Sequence, residues 1–322
     1  MLQRGFARTP CGAVISSAIL LLQRRKMQRT KQFLERMGMP SGDCYDLPTS
    51  EKRFEDGAQY RFEVPGIQGP GAMAALLDAV EKNGVPIHRV TQTKGVMTLS
   101  DPEITKMVDM AAGAGVELVL SVGPRATTDT SASVNTPEGV RMGYRLRGQE
   151  QVVRAVEEIR RGTALGVMSY LVYDEGQLWL MNQMREAGDI PAGVRFKVSA
   201  HAGHGNPCSA ALLAQIGADS FNPVRDIQLQ MMAAIRRAVD IPLDVHTENP
   251  ASTGGFIRHY EVPEMVRVAS PIYLKTGGSV AKTHSWDSSD ADAVKRSKQV
   301  TLVKRMLDEY YPEAYTVPPK KG

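Results

Sequence analysis

Cysteine is scarce in this sequence. Only Cys11, Cys44 and Cys208 occur among its 322 residues. They are too few and too far apart for a disulfide framework, a structural zinc site or a four-thiolate iron–sulfur cluster. We therefore expect no iron–sulfur cluster, and a cytoplasmic, reducing environment follows as the default for a chain without disulfides.

A charge excess of one sign is also lacking. The 39 basic residues nearly balance the 35 acidic ones, and no Lys/Arg run is interleaved with aromatic residues in the predicted core. No nucleic-acid partner is expected, because such partners bind basic patches. The GxGxxG and GxxxxGK[ST] motifs are absent from strand-to-helix junctions, and GxSxG is absent as well. The sequence therefore predicts no nucleotide cofactor and no serine nucleophile of that type.

Long hydrophobic runs are missing too. The apolar stretch at residues 11–22 is too short to span a bilayer easily, so no membrane partner is expected. Arg residues flank it, and no small-residue cleavage site follows. We interpret residues 1–26 as a dispensable extension of the functional protein, with a targeting segment as the alternative.

Eight short, β-branched runs are present, and they alternate with amphipathic helical stretches. This alternation over roughly 250 residues is typical of a (β/α)8 TIM-type barrel. A doubly wound open sheet is the alternative. The strand candidates are residues 60–64, 87–93, 116–122, 167–174, 194–201, 219–224, 242–248 and 270–276.

The chain divides into three parts on this reading. Residues 1–59 form an N-terminal extension and approach segment that includes one helix, residues 60–311 form the barrel, and residues 312–322 form a flexible tail. Barrels of this kind frequently associate, so a homo-oligomer remains open as a partner.

The seventh strand candidate has an unusual composition. In PLDVHTEN, residues 242–249, the two-residue period of a strand puts Asp244, His246 and Glu248 on one face. Ionisable side chains on an otherwise apolar strand are costly to bury without a partner or a function. They predict a site at this strand.

Other strand ends add polar residues, and the carboxyl ends of barrel strands form the active site in this architecture. We predict Glu63, Lys197, His201 and His246 as catalytic residues. The residues predicted to bind a small-molecule or peptide substrate are Gln92, Asp174, Asn206, Arg225, Lys275 and Thr276.

Two kinds of chemistry are open for this set. His201 and His246, with Asp244 and Glu248, suit a divalent metal such as zinc, manganese or iron. In a metal-free site, an imidazole or carboxylate acts as general base, and a lysine stabilises negative charge or forms a Schiff base. The structural alternative is that the acidic and basic residues merely form buried ion pairs.

The glycines after Lys275 allow two interpretations. The KTGGS turn at residues 275–279 can bind an anion through backbone N–H groups, as barrels often do after their last strands. A tight turn explains the glycines equally well.

A set of mostly small or polar residues lies near the predicted strand and helix ends of residues 160–310. They are Asp174, Gly176, Leu178, Ser199, His201, Asn206, Ser209, Ala210, Gly217, Ala218, Arg225 and Val245. In these residues the region resembles the peptidase U32 family, and the resemblance implies a barrel and a peptidase or collagenase-like activity. Where the family has a Gly- and Cys-containing stretch, residues 249–264 here have none of its cysteines, so cluster-dependent hydroxylation is not expected.

Three functions are compatible with these observations. The first is a U32-like hydrolase that cleaves an amide or ester with metal-bound or base-activated water. The second is a lyase or isomerase that acts on a small oxo- or hydroxy-acid through a metal or a lysine. The third is a non-catalytic barrel subunit of a larger assembly.

Overall fold

Eight parallel strands close into a barrel in the order of the sequence. This computed structural model describes residues 28–44, 46–126, 143–281 and 288–320. The predicted (β/α)8 barrel is confirmed, and the open sheet is excluded by the pairing of the first strand with the last. The strands are β1 (Tyr60–Pro65), β2 (Arg89–Gln92), β3 (Glu117–Ser121), β4 (Ser169–Val172), β5 (Arg195–Val198), β6 (Ser220–Phe221), β7 (Leu243–His246) and β8 (Ile272–Lys275).

Nine helices occur in the described parts of the chain. One precedes the barrel and eight follow the strands. Within those residues, no helix is long and apolar enough to cross a membrane. The helices are α1 (Gln28–Arg36), α2 (Pro70–Lys82), α3 (Asp101–Ala114), α4 (Gly148–Ala164), α5 (Glu175–Ala187), α6 (Pro207–Gln215), α7 (Leu229–Ala238), α8 (Val262–Ala269) and α9 (Asp290–Tyr310).

Local sequence signals set the ends of these helices. Ser100 and Glu103 form a capping box at the start of α3. Gly115 and Gly188 follow α3 and α5 with φ of 66° and 84°, a left-handed conformation that suits glycine. Gly162 has another role. It lies inside α4, where an added Cβ would be 2.6 Å from the hydroxyl oxygen of Tyr170.

Chain from both termini packs against part of the N-terminal end of the barrel. Phe54 and Ala58 of the approach segment pack with Tyr273 of β8 and Val317. Residues 312–320, expected as a flexible tail, lie against this end, where Thr316 donates a 2.6 Å hydrogen bond to the carbonyl of Tyr60. A cavity of about 390 Å³ remains at this end, but barrels of this architecture carry their active sites at the C-terminal ends of the strands. The extension predicted for residues 1–26 lies outside the described residues.

The barrel interior is apolar on one side only. Val119, Leu171 and Tyr173 form a small cluster separate from the main core between strands and helices. Six strands, β1, β2, β3, β5, β7 and β8, also place a charged side chain in the interior, below the C-terminal mouth. The charged interior residues are Glu63, Arg89, Glu117, Lys197, Asp244 and Lys275.

Candidate active site

Glu63 on β1 is the centre of the charged interior. Its carboxylate is fully buried. It accepts hydrogen bonds from Lys197 and, at 2.8 Å, from the hydroxyl of Thr91. The ammonium nitrogen of Lys275 lies 3.2 Å from Oε1 of the same carboxylate. Glu63 therefore joins lysines from two distant strands of the barrel.

Arg89 on β2 completes the charged layer. Its guanidinium forms 2.7 Å ion pairs with both Asp244 and Glu117, and it lies over the ring of Tyr273. Lys197 Nζ is 3.5 Å from Asp244. The negative and positive charges of these residues thus neutralise each other beneath the mouth. Removal of any one residue from such a network leaves an uncompensated buried charge. For Glu63 and Lys197, this network matches the alternative raised from the sequence, in which acidic and basic residues form buried ion pairs.

Burial and neighbouring charges shift the pKa values of Glu63 and Lys197 in this layer. Burial raises the pKa of Glu63, but the positive charges of Lys197, Lys275 and Arg89 outweigh it and lower the pKa well below its ordinary value. Burial lowers the pKa of Lys197 to about 8, against the charges of Asp244 and Glu63, which raise it. At neutral pH the layer is a set of ion pairs.

A cavity opens above this layer at the C-terminal ends of the strands. Its volume is about 70 Å³, several times the room that one water molecule needs. Among the described residues, no Asp or Glu lines it. We call it the mouth pocket, and its lining includes His201, Asn222, Arg225, His246, Lys275 and Arg296.

His246 at the end of β7 is buried in this pocket. Both of its ring nitrogens lack a hydrogen-bond partner among the described residues. Burial lowers its pKa well below the ordinary value, and the charges of Lys275 and Arg225 lower it further. The imidazole is therefore neutral at physiological pH and has one nitrogen that can accept a proton.

His201 follows β5 and is held by its neighbours. Arg225 Nη2 donates a 2.7 Å hydrogen bond to His201 Nε2. Because a guanidinium only donates, the ring proton of a neutral His201 lies on Nδ1. Tyr144 stacks on the ring, with centroids 3.7 Å apart. His201 thus orients Arg225 in the mouth pocket.

Asn222 after β6 positions Lys275. With its amide oriented to satisfy both groups, Asn222 accepts a 3.1 Å hydrogen bond from Lys275 Nζ and donates a 2.7 Å bond to the carbonyl of Asp244. Lys275 therefore has two oxygen partners, Glu63 and Asn222. Its ammonium is fixed at the floor of the pocket.

Arg296 reaches the mouth pocket from α9. Its guanidinium donates to the carbonyl of Gly277. An added Cβ on Gly66 would be 3.0 Å from Arg296 Nη2, and one on Gly277 would be 2.9 Å from Arg296 Cβ. These two glycines make room for the arginine. Gly277 also has φ of 100°, as expected for the tight turn considered from the sequence, so the close arginine adds a second reason for glycine at this position.

The three ionisable residues of the seventh strand candidate, Asp244, His246 and Glu248, do not meet at one site. Asp244 pairs with Arg89 inside the barrel. Glu248, also fully buried, lies beyond the end of β7, where it accepts hydrogen bonds from the Gly277 N–H at 2.6 Å and the Ser279 hydroxyl at 2.8 Å. The turn after β8 therefore binds a carboxylate of the protein itself.

The predicted metal ligands consequently do not converge. His201 and His246 line the mouth pocket, whereas Asp244 and Glu248 are engaged elsewhere. No three His, Cys, Asp or Glu side chains come together as a metal site in the residues that the structure describes. These residues do not fit a metal centre of the expected composition, and metal binding stays a prediction.

Two of the six predicted substrate-binding residues, Arg225 and Lys275, line the mouth pocket. The other four have structural contacts. Gln92 holds the loop after β2 through the backbone of Gly95, and Thr276 contacts Thr247 between β7 and β8. Asp174 and Asn206 cap the N-termini of α5 and α6. A polar residue just after a strand is often the cap of the next helix, and this competes with a binding role.

Several polar residues of the pocket were absent from the predicted site, among them Asn222, Asn249 and Arg296. Asn222 was recognisable as a polar strand end. Asn249 and Arg296 gave no such signal, because one lies in the loop after β7 and the other in the middle of α9. Only the folded chain brings them to the mouth.

A much larger groove of about 1190 Å³ lies elsewhere. The described residues that line it belong to α1, the approach segment and the outer helices, and none is a strand residue. It contains no histidine. The mouth pocket is therefore the better candidate site.

Fold and cavity together define a (β/α)8-barrel protein with a cationic pocket at its C-terminal mouth. No protein-family model and no curated protein matches the sequence. Among solved structures, native KDPGal is 12% identical over 81% of this chain and 98% of that chain, with a TM-score of 0.48. The U32 peptidase Mk0906 is 20% identical over 63% of this chain and 74% of that chain, with a TM-score of 0.38.

A Rubisco-like protein from Rhodopseudomonas palustris is similar as well. It is 12% identical over 84% of this chain and 70% of that chain, with a TM-score of 0.47. The similar structures thus include one U32 peptidase together with other barrels. Because barrels host many unrelated activities, the choice among functions rests on the residues of the site.

Proposed function

We propose that this chain is an enzyme that abstracts a proton beside the carbonyl group of a small anionic oxo-acid, as lyases and isomerases do. One observation supports this above all. Among the described residues, cationic groups and imidazoles line the mouth pocket and carboxylates do not. Such a pocket favours an anion.

In the proposed step, His246 is the general base. The C–H bond next to the carbonyl breaks, an N–H bond forms on the imidazole, and the electron pair moves to the carbonyl oxygen. The ammonium of Lys275 stabilises the resulting enolate, and Arg225 and Arg296 hold the substrate's anionic group. His246 then returns the proton to the same carbon as the electron pair moves back from the oxygen, which restores the carbonyl group and exchanges or inverts that carbon.

The depressed pKa of His246 is consistent with this role. The cations around it lower its pKa in the ligand-free protein. A bound anion offsets those cations and favours the imidazolium, so the pKa rises when substrate is present. His246 is thereby a stronger base in the complex than in the free protein.

Hydrolysis of an amide or ester is less favoured by the site. It would use water activated by a metal or a base, and the four predicted metal ligands do not converge. A Schiff base on Lys275 is a variant of the lyase route, because the amine lies in the same pocket. Borohydride trapping followed by mass spectrometry of Lys275 and Lys197 distinguishes it from enolate stabilisation by the ammonium.

Hydrogen–deuterium exchange at carbon tests the proposal without knowledge of the natural substrate. The protein is incubated in D₂O with pyruvate, 2-oxobutyrate and longer oxo-acids, and the loss of the C3 proton is followed by NMR. We expect exchange above the buffer rate, reduced about 100-fold or more in His246→Asn, because a positioned general base contributes at least that factor.

His204→Gln is the matched control, since His204 pairs with Glu175 outside the mouth pocket, and it should exchange like the wild type. Exchange that persists in His246→Asn, or no exchange with any oxo-acid by folded protein, contradicts the proposal. Peptide and ester cleavage assayed in parallel would then favour hydrolysis. The failure of both assays would favour a non-catalytic barrel.

A further inference from the structure

Some residues that line the mouth pocket carry buried polar side-chain atoms with no hydrogen-bond partner among the described residues. Besides His246, these are Asn249 Oδ1 and Arg296 Nε. Asn249 is 2% exposed and Arg296 is 4% exposed. Both line the pocket. Buried polar atoms usually have a partner, so these atoms describe the ligand that the pocket accepts.

The orientation of Asn249 is set by the protein. Its backbone N–H donates a 2.9 Å hydrogen bond to the carbonyl of Phe256. Its side-chain Nδ2 donates to the carbonyl of Thr253 at 3.3 Å. Because the amide nitrogen is engaged, the oxygen is the atom left to accept, and it needs a donor from a ligand.

The needs of Arg296 are the opposite. Its Nη1 donates to the carbonyl of Gly277, and its buried Nε–H has no acceptor among the described residues. A guanidinium pairs best with an anionic oxygen. The contacts that Gly66 and Gly277 allow hold this side chain in place.

We infer that the ligand of the mouth pocket is a hydroxylated anion. Its carboxylate or phosphate oxygen accepts from Arg296, and its hydroxyl donates to Asn249. This inference rests on the proposed function in taking the mouth pocket as the substrate site, and it narrows the substrate from small oxo-acids to those that also carry a hydroxyl. Asn249 is then a specificity-determining residue.

Matched pairs of anions test this by binding alone. Butyrate and 3-hydroxybutyrate, and propionate and 3-hydroxypropionate, are titrated into the purified protein by calorimetry or ligand-observed NMR. We expect the hydroxylated member of at least one pair to bind about tenfold more tightly, because a site built around a hydroxyl rejects the analogue that lacks it.

Three variants identify the residues responsible. Asn249→Ala should bind both members of the pair equally, and Asn249→Asp, which keeps an acceptor, should retain the preference with weaker affinity for both anions. Arg296→Gln should weaken both members to the same extent. Asn83→Ala is the matched control, because Asn83 contacts Ser297 outside the mouth pocket, and it should behave like the wild type.

Equal binding of hydroxylated and plain anions by the wild type overturns the inference. So does a preference that persists in folded Asn249→Ala. If that variant does not fold, loss of the preference in Asn249→Asp overturns it instead. A protein that shows the preference without carbon exchange retains this inference and loses the proposed lyase or isomerase activity, whereas exchange without the preference does the reverse.

Discussion

Glu63 Oε1 lies 3.2 Å from the ammonium nitrogen of Lys275, and this contact joins the charged interior to the mouth pocket. Glu63 also pairs with Lys197, which lines a cavity of about 390 Å³ at the opposite, N-terminal end of the barrel. One buried carboxylate therefore contacts lysines that face the two ends of the molecule. The position of Lys275 depends on it.

Glu63→Gln should destabilise the protein strongly. The substitution leaves Lys197, Lys275 and Arg89 with one anion fewer in a buried layer, which typically costs about 3–5 kcal/mol. Urea unfolding at pH 7 measures the loss. Glu157→Gln, on an exposed ion pair of α4, should change the unfolding free energy by less than about 0.5 kcal/mol.

The Glu63 carboxylate should also make the unfolding free energy of the wild type depend on pH in the acidic range. Its folded-state pKa is below the ordinary value of 4.5. Its contribution is therefore present above that value and is lost as the pH falls toward the folded-state pKa. The unfolding free energy of the wild type should fall more steeply below pH 4.5 than that of Glu63→Gln, and equal slopes would contradict the assignment.

For Lys197 we predict a contribution to stability that increases as the pH rises in the alkaline range. Burial lowers its pKa to about 8, from an ordinary value of 10.5. Between these values the unfolded chain binds more protons than the folded one, so stability attributable to Lys197 rises with pH in this window. Urea unfolding of the wild type and Lys197→Met from pH 7.5 to 10 should show this upward component only in the wild type. Parallel profiles would be inconsistent with a depressed pKa.

Gly277→Ala should weaken anion binding as well as stability. The backbone of Gly277 has φ of 100°, and the added Cβ would be 2.9 Å from Arg296 Cβ and Cγ. We expect a loss of about 1–3 kcal/mol from backbone strain, together with displacement of the guanidinium and reduced affinity for carboxylates. Thermal unfolding and anion titration measure the two effects.

Gly188→Ala is the control for that pair of effects. Gly188 has φ of 84°, and nothing lies within 4 Å of its added Cβ. It should reproduce the strain without the change in anion affinity. If both variants bind anions as the wild type does, Arg296 does not depend on Gly277 for its position.

Metal removal should have little effect on this protein. Asp244 is paired with Arg89 and Glu248 with the turn at Gly277, so neither carboxylate is available beside His246. We expect less than stoichiometric zinc, manganese or iron by elemental analysis, and unchanged thermal unfolding after chelation. One equivalent of metal that is lost in His246→Asn would establish the metal site expected from the sequence.

Local pattern was sufficient to predict the architecture and several residues that line the mouth pocket. The alternation of strands and helices, and glycines such as Gly115 and Gly188, are signals that neighbouring residues determine. His201, Arg225, His246 and Lys275 were found because they stand at strand ends, where a barrel brings side chains together. Their convergence needed only the fold class.

The partners of charged residues were not predictable in the same way. Asp244, His246 and Glu248 share a period, yet Asp244 contacts a residue 155 positions away and Glu248 one 29 positions away. The contacts depend on strand register and on where β7 ends. The two-residue period of a strand specifies neither the register of β7 nor the residue at which it ends.

The amino-acid sequence by itself determined that the chain alternates strands and helices into a closed barrel, because periodicity and helix caps are properties of neighbouring residues. Only the tertiary structure decided which charges neutralise each other inside and which remain at the mouth. Arg296 and Asn249 reach the pocket through the packing of α9 and the loop after β7. The physical reason is that the energy of a buried charge depends on partners far away in the chain.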